Sequence, residues 1–265
     1  MTGQKFDALK TSLQKLGSVA VAFSGGVDST FLLKAAHGAL GGRACAVTAR
    51  SCFSARRELL EAEAFCAAEG IPHYLAGVDL LKVEGVAENP PDRCYPCKRA
   101  ILSALAALAN ANGYPRLADG SNADDDSDYR PGARAVRELG VFSPLRDAGL
   151  TKDEIRALSR EMGLPTWDKP AFACLASRIP YGEAVTEEKL RRIERAEETL
   201  TDMGLGQLRV RCHENLARIE TDEAGFAIVV KRREEVQERL RAAGFAYVSL
   251  DLLGYRMGRL NETLR

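Results

Sequence analysis

No stretch of this chain is long and apolar enough to span a bilayer, and its first residues, Met1-Thr2-Gly3-Gln4-Lys5, lack the apolar core of a secretory leader. A cytoplasmic protein is the expectation. Net charge is missing too. The 37 Lys and Arg balance 37 Asp and Glu, so no global basic field recruits nucleic acid. Internal repeats and low-complexity tracts are absent, which excludes repeat arrays. No glycine-rich loop here ends in the Lys-Ser or Lys-Thr pair of a Walker motif, and the dinucleotide-binding fingerprint is missing. It has one Cys-x-x-Cys but no second, which a structural zinc site of four thiolates would use. Its 7 cysteines are an odd number that fits poorly with a full set of disulfides. In a cytosolic chain they point to metal binding, catalysis or burial.

What is present is ordinary in bulk and specific in detail. At 265 residues the chain can hold one large domain, or a large and a small one, and 46% hydrophobic with 28% charged residues suits a globular protein. The organising stretch is Val19-Ala20-Val21-Ala22-Phe23, an apolar run that reads as a buried strand, followed by Ser24-Gly25-Gly26-Val27-Asp28-Ser29-Thr30 and a helix beginning near Phe31. A strand, a glycine turn and a helix leave unpaired N–H groups facing outward, and the helix dipole there favours an anion. Gly25 and Gly26 let the main chain approach a phosphate, while Ser24, Ser29 and Thr30 add hydroxyls. Asp28 is the odd member, because a carboxylate beside a phosphate is repulsive unless a cation such as Mg²⁺ lies between them. The plainer reading of this stretch is a strand–turn–helix with an N-cap serine.

The rest of the chain alternates strands and helices, which predicts parallel βαβ units. Helices are expected over 6–16 and 55–69, and strands over 43–48, 73–78 and 116–119. Residues 88–98, with Pro90-Pro91 and Cys94-Tyr95-Pro96-Cys97, read as a loop before an alanine-rich helix over 99–111. Asp119 and Asp124 lie where the fourth strand ends, the edge at which open α/β sheets collect ligands, and they are candidates for Mg²⁺ or nucleotide contacts. A solvated acidic loop is the alternative. A segment from Tyr129 holds Arg130-Pro131-Gly132 and a helix over 133–139, and Thr151-Lys152-Asp153-Glu154 is a capping box opening a helix through Met162. Residues 165–181, with Trp167 and Cys174, form a second loop of functional composition. A boundary is expected near Gly182, giving domains 1–182 and 183–265. The second reads as small α+β: a helix over 186–203, strands over 207–212, 216–220 and 227–230, a helix over 232–243 and a strand over 247–250.

Cys94 and Cys97 open several readings: a redox pair, half of a zinc site completed by Cys212-His213 or Cys174, or two of three thiolates on an iron–sulfur cluster with one iron open. Cys45, Cys52, Cys66 and Cys212 fall in or beside predicted elements and read as core residues. Lys98 follows the second thiol directly. It can neutralise developing charge or simply start a helix. Arg178, Arg209 and Arg211 are candidates for a substrate phosphate, and Arg209 and Arg211 share one strand face. A solvated sheet face is the alternative for that pair.

Six motifs occur in order. They are Ser24–Ser29, Arg93–Lys98, Asp119–Asp125, Glu138–Leu145, Cys174-Leu175-Ala176-Ser177-Arg178 and Leu250–Arg256. Together they resemble the ATP-dependent sulfur transferases that build the nickel-pincer nucleotide cofactor, a family within the ATP pyrophosphatases, over about Phe6 to Asn261. The resemblance implies a parallel-sheet α/β pyrophosphatase domain and a smaller α+β substrate domain. It implies ATP as cosubstrate with Mg²⁺, a pyridinium dicarboxylate mononucleotide as substrate, and assembly into a homo-oligomer, a hexamer in the family.

Members resembling this chain divide by sulfur source. Some sacrifice the sulfur of the cysteine matching Cys174; others carry three cysteines and a [4Fe-4S] cluster that must be reloaded from a sulfur donor. With Cys94, Cys97 and Cys174 this chain resembles the second kind, with Ser177, Arg178, Arg209 and Arg211 toward the substrate. Three rival readings stand beside it. A tRNA thiolase would show a basic surface, a non-catalytic nucleotide binder would hold structural zinc, and an amide-forming ligase would leave the cysteines idle.

Overall fold

Val19–Ala22 has apolar side chains on both faces of the strand, and both faces are covered. A computed structural model of the chain describes residues 2–127, 132–170, 173–256 and 258–264. It divides into two compact units, Met1–Leu80 with Asp92–Phe172, and Leu81–Pro91 with Ala173–Arg265. The sequence reading put one boundary near Gly182; the contacts instead divide the chain before Ala173 and assign Leu81–Pro91 to the second unit. Buried Asn89 shows why that short segment belongs there. Its amide donates to the Pro180 carbonyl at 2.7 Å, and its own carbonyl accepts from Gly182 N at 3.0 Å.

The first unit runs α1 (Thr2–Leu16), β1 (Val19–Ala22), α2 (Val27–Leu40), β2 (Ala44–Arg50), α3 (Arg56–Glu69), β3 (His73–Gly77), α4 (Cys94–Ala111), β4 (Leu117–Ala118), α5 (Gly132–Glu138), α6 (Pro144–Asp147) and α7 (Lys152–Glu161). Its sheet is parallel with strand order β3-β2-β1-β4. Successive strand residues point to opposite faces. Val19 and Val21 of β1 therefore join one core with Leu13 of α1, Phe31 of α2, Ala62 of α3 and Ile155 of α7. Ala20 joins the other, with Cys45, Val47, Leu102 and Leu105 of α4 and Val136 of α5. Helices on both faces are why these strands read as unbroken apolar runs. The chain lays β1, β2 and β3 outward in one direction, then places β4 on the other side of β1. That reversal is a topological switch point, where a crevice opens at the strands' C-terminal ends.

The second unit carries α8 (Glu187–Asp202), β5 (Leu208–His213), β6 (Leu216–Thr221), α9 (Glu223–Lys231), α10 (Arg233–Ala242) and β7 (Tyr247–Leu250). β5 and β6 pair antiparallel, and β6 pairs parallel with β7. Leu190, Ile193, Ala196 and Leu200 form the buried stripe of α8.

Two expectations change. Cys94 and Cys97 lie in the first turn of α4, not in a loop. Residues 227–230 are helical, not a strand, because the Asp222 side chain accepts from Gly225 N at 2.8 Å and caps α9. A short apolar run such as Ala227-Ile228-Val229-Val230 cannot by itself separate strand from helix. Tyr129, Arg130 and Pro131, and residues 171–172 of the loop read over 165–181, lie outside the described residues. Among the described residues no helix is long and apolar enough to cross a membrane.

The Thr151 capping box is present, and Glu154 within it also accepts from Lys5 Nζ of α1 at 2.7 Å. The Lys5 hydrogen bond, then the Thr151 N–H, hold the Glu154 carboxyl down at about 2 against an ordinary value of 4.5. A depressed carboxyl contributes stability that is present above its unfolded value and is lost as pH falls through its folded value. Urea midpoints measured across pH 4.5 to 2 are therefore expected to fall less steeply in Glu154→Gln than in the parent. Identical profiles would contradict this assignment.

Candidate active site

The turn from β1 into α2 is built by its own hydroxyls. Ser29 Oγ donates to Gly26 O at 3.2 Å, receives Ser24 N at 3.3 Å, and lies 3.1 Å from Ser24 Oγ. Gly25 adopts φ +71°, a left-handed conformation that side chains resist. Gly26 is the N-cap of α2, and no side chain caps that end. Ser24 is exposed, Ser29 and Thr30 are buried, and the Thr30 hydroxyl has no hydrogen-bond partner among the described residues.

The strand order brings the exit of β4 onto this turn. A Cβ on Gly120 would lie 3.0 Å from Ser29 N, a tight contact that would push on the turn's backbone, so the two segments lie close together. Asp119, 5% exposed, is fully occupied. Its oxygens accept from Ser143 Oγ at 2.8 Å, Ser121 Oγ at 2.7 Å, Ser121 N at 3.3 Å and Lys98 Nζ at 3.2 Å. Burial of a carboxylate is tolerable only with such a set of donors. Asp119 thus orients Lys98, whose stem also packs against α5: a Cβ on Gly132 would come within 2.9 Å of Lys98 Cδ.

Asp28 is occupied on one side. Its Oδ2 accepts from Lys152 Nζ at 2.5 Å, while its Oδ1 is buried with no hydrogen-bond partner among the described residues. An orphaned carboxylate oxygen beside a glycine turn at a helix N-terminus suits a hard cation such as Mg²⁺. Asp124 is engaged by the start of α7: its Oδ2 accepts from Lys152 N at 2.7 Å. Lys169 is a third lysine here, donating to Gly25 O at 3.0 Å and to Glu61 Oε2 at 2.8 Å.

The sequence reading missed Lys152, which it saw only as part of a helix cap. It also missed Lys169, in a loop where it singled out Trp167 and Cys174. Both are many residues from the turn they serve, so no local pattern marks them.

The cysteines sort by burial. Cys45, Cys66 and Cys212 are buried, and burial pushes the Cys45 and Cys66 thiols up to about 12 and raises Cys212 as well. Such thiols stay protonated and poorly reactive. Cys52 departs from the core expectation: it is only half-buried. Cys94 is exposed and Cys97 half-buried, three residues apart on one face of α4. Among the described residues no three His, Cys, Asp or Glu side chains converge to hold a metal ion.

In the second unit exposed Cys174 precedes a short 3-10 turn, Leu175–Arg178, and its carbonyl accepts from Ser177 N at 2.9 Å. Arg178 is 1% exposed and forks onto Glu197, with two contacts of 2.9 Å. It also donates to the carbonyls of Ala173 and Cys174 and to Ser177 Oγ, so it shapes the cysteine's turn. Arg211 forks onto fully buried Glu220 at 3.0 and 2.8 Å and reaches Ser177 O at 2.8 Å. Arg209 is buried over the Tyr255 ring, and burial, followed by the charge of Arg178, lowers its proton affinity. The solvated-face alternative for Arg209 and Arg211 therefore fails. Glu220 and Asp251 also receive Arg218 and Arg259. Five arginines thus surround three carboxylates, Glu197 being the third, and the surplus positive charge favours an anion.

No family model matches the chain. It is 42% identical to an uncharacterised protein of Synechocystis over all of this chain and 99% of that one. It is 38% identical to the pyridinium-3,5-bisthiocarboxylic acid mononucleotide synthase of Lactiplantibacillus plantarum, over 97% of this chain and 93% of that one. A tRNA-specific 2-thiouridylase of Rickettsia africae is 27% identical over 59% of this chain and 53% of its own.

Iodoacetamide is expected to alkylate Cys94 and Cys174 in the folded protein and to leave Cys45, Cys66 and Cys212 unmodified until denaturant is added. Peptide masses read this directly, and early labelling of any of the buried three would contradict the sorting.

Proposed function

Because the chain belongs to the pyridinium-3,5-bisthiocarboxylic acid mononucleotide synthases, enzymes of the ATP pyrophosphatase superfamily, we propose that it adenylylates the carboxylates of pyridinium-3,5-biscarboxylic acid mononucleotide and exchanges oxygen for sulfur. The products would be thiocarboxylates for the nickel-pincer cofactor. The observation that carries this reading is the Ser24–Ser29 turn at the sheet's switch point, with Asp28 Oδ1, which has no hydrogen-bond partner among the described residues, beside it and three lysines around it.

The turn's N–H groups and hydroxyls hold the phosphates of ATP, and Asp28 would hold Mg²⁺, which neutralises phosphate charge. A substrate carboxylate oxygen attacks the α-phosphorus, the bond to pyrophosphate breaks, and an acyl-adenylate forms. The activation is chemically necessary, since a carboxylate oxygen is a poor leaving group and AMP a good one. Sulfide then adds to the carbonyl carbon, the bond to AMP breaks, and a thiocarboxylate remains. Lys98, held at 3.2 Å by Asp119, stabilises negative charge that develops during adenylylation. Arg209 and its neighbours receive the substrate's phosphate, with Arg178 and Arg211 anchoring Ser177 and the Cys174 turn.

The sulfur source in this reading would be a [4Fe-4S] cluster: Cys94, Cys97 and Cys174 would be the thiols that hold it, and it would supply sulfide for the transfer. What supports it is the donor chemistry: these are thiols left accessible while three others are buried. Nucleobase thiolation has weaker support, since the likeness to the 2-thiouridylase covers 59% of this chain.

Anaerobic protein reconstituted with iron and sulfide, then given ATP, Mg²⁺ and the dicarboxylate nucleotide, is expected to release pyrophosphate and AMP and to yield a product with sulfur in place of oxygen. Asp28→Asn is expected to slow pyrophosphate release by roughly 10²-fold. A [4Fe-4S] absorption and spin-resonance signal lost in each of Cys94→Ala, Cys97→Ala and Cys174→Ala supports the cluster. A cluster indifferent to Cys174, or dehydroalanine at Cys174 after turnover, overturns it in favour of a single sacrificed sulfur.

A further inference from the structure

The peptide joining Gly25 to Gly26 is held from outside the turn. Lys169 Nζ donates to the Gly25 carbonyl at 3.0 Å and to Glu61 Oε2 of α3 at 2.8 Å. The lysine is itself well placed to act as a fixed strut. Its side chain is largely buried, and the backbone around it is clamped by Arg156 of α7, which donates to the carbonyls of Trp167 at 2.7 Å and Lys169 at 2.8 Å. Gly25 rests against α3, where a Cβ would lie 3.4 Å from that of Ala62. Lys169 therefore takes hold of the Gly25 carbonyl on the side of the turn where Glu61 and Ala62 stand. Gly120 covers the Ser29 and Asp28 side.

A trans peptide is planar, so its C=O and N–H point in opposite directions. Fixing the Gly25 carbonyl also fixes the Gly26 N–H. Glycine at position 25, at φ +71°, has a backbone that could otherwise turn this peptide over with little steric cost. In that flipped state a carbonyl oxygen would face the phosphates in place of a donor. Gly26 starts α2 without a side-chain cap, so its N–H is among the donors that an anion at this helix end would use.

We infer that Lys169 is a positioning residue of the phosphate-binding turn: by holding the Gly25 carbonyl it aims the Gly26 N–H at the pyrophosphate portion of ATP. This rests on the nucleotide reading above and assigns a role within it. The competing account is an ion pair between Lys169 and Glu61 that only helps stability, a contact worth little when part-exposed.

The test is direct binding of ATP, inorganic pyrophosphate and AMP, each with Mg²⁺, by calorimetry on the parent, Lys169→Met and Lys169→Arg. Methionine keeps the apolar stem and removes the donor; arginine restores one. Lys169→Met is expected to weaken ATP and pyrophosphate by about tenfold or more while leaving AMP within about twofold, with Lys169→Arg recovering most of the loss. In ¹⁵N-glycine-labelled protein without ligand, the Gly26 amide resonance is expected to move in Lys169→Met. Glu61→Gln, which disrupts the ion pair but leaves the lysine, is expected to bind pyrophosphate more tightly than Lys169→Met does. Unchanged pyrophosphate affinity in Lys169→Met overturns the inference, as does an equal loss of AMP and pyrophosphate. A parent protein that binds neither ATP nor pyrophosphate overturns the nucleotide reading itself, and this inference with it.

Discussion

A parallel strand that ends in a helix must turn within a few residues while its backbone donors still find partners. In this chain the turn at Ser24–Ser29 meets that constraint with little help from its own ends, because Gly26 offers α2 no cap. Ser29 closes the turn from within. Everything else comes from a distance. Gly120 abuts it from the exit of β4, Lys152 engages Asp28 from the start of α7, and Lys169 takes the Gly25 carbonyl. The strand order β3-β2-β1-β4 is what makes these contacts available, since it places β4 beside β1 and opens the crevice there.

Charge is arranged differently in the two units. Around the turn each lysine has a carboxylate: Lys98 with Asp119, Lys152 with Asp28, Lys169 with Glu61. Anionic phosphates and a divalent cation could exchange partners with such pairs without leaving a charge stranded. In the second unit the cluster of Arg178, Arg209, Arg211, Arg218 and Arg259 outnumbers its carboxylates, and the most buried of those, Glu220, anchors several guanidinium groups at once. Breaking such a group by removing one member would leave uncompensated buried charge. Rigidity there, and the anion affinity proposed for the cluster, would come from the same residues.

Burial also decides which sulfur can react. Cys45 and Cys66 have the same side chain as Cys94 and Cys174, but they pack into the two faces of the first unit's core and stay protonated. Exposure leaves Cys94 and Cys174 open to a metal or an electrophile.

The sequence alone determined what depends on near neighbours along the chain. The apolar run at Val19–Phe23, the glycine turn, the Thr151 capping box and the alternation of strands and helices are local patterns, and each element they imply is present. The run Ala227–Val230 is the instructive failure, where a cap at Asp222 outweighed a β-branched composition. Tertiary structure alone decided which distant residues share a site. Asp119 looks in sequence like a metal-ready carboxylate, yet four donors already occupy it. Arg178 and Arg211 look like phosphate ligands, yet each guanidinium forks onto a buried or half-buried glutamate. Lys152 and Lys169 carry no local mark, because their meaning arises only when the sheet brings α7 and the segment after it to the turn. Propensity and capping act over a few residues, whereas the pairing of a buried charge depends on whichever partner folding delivers to it.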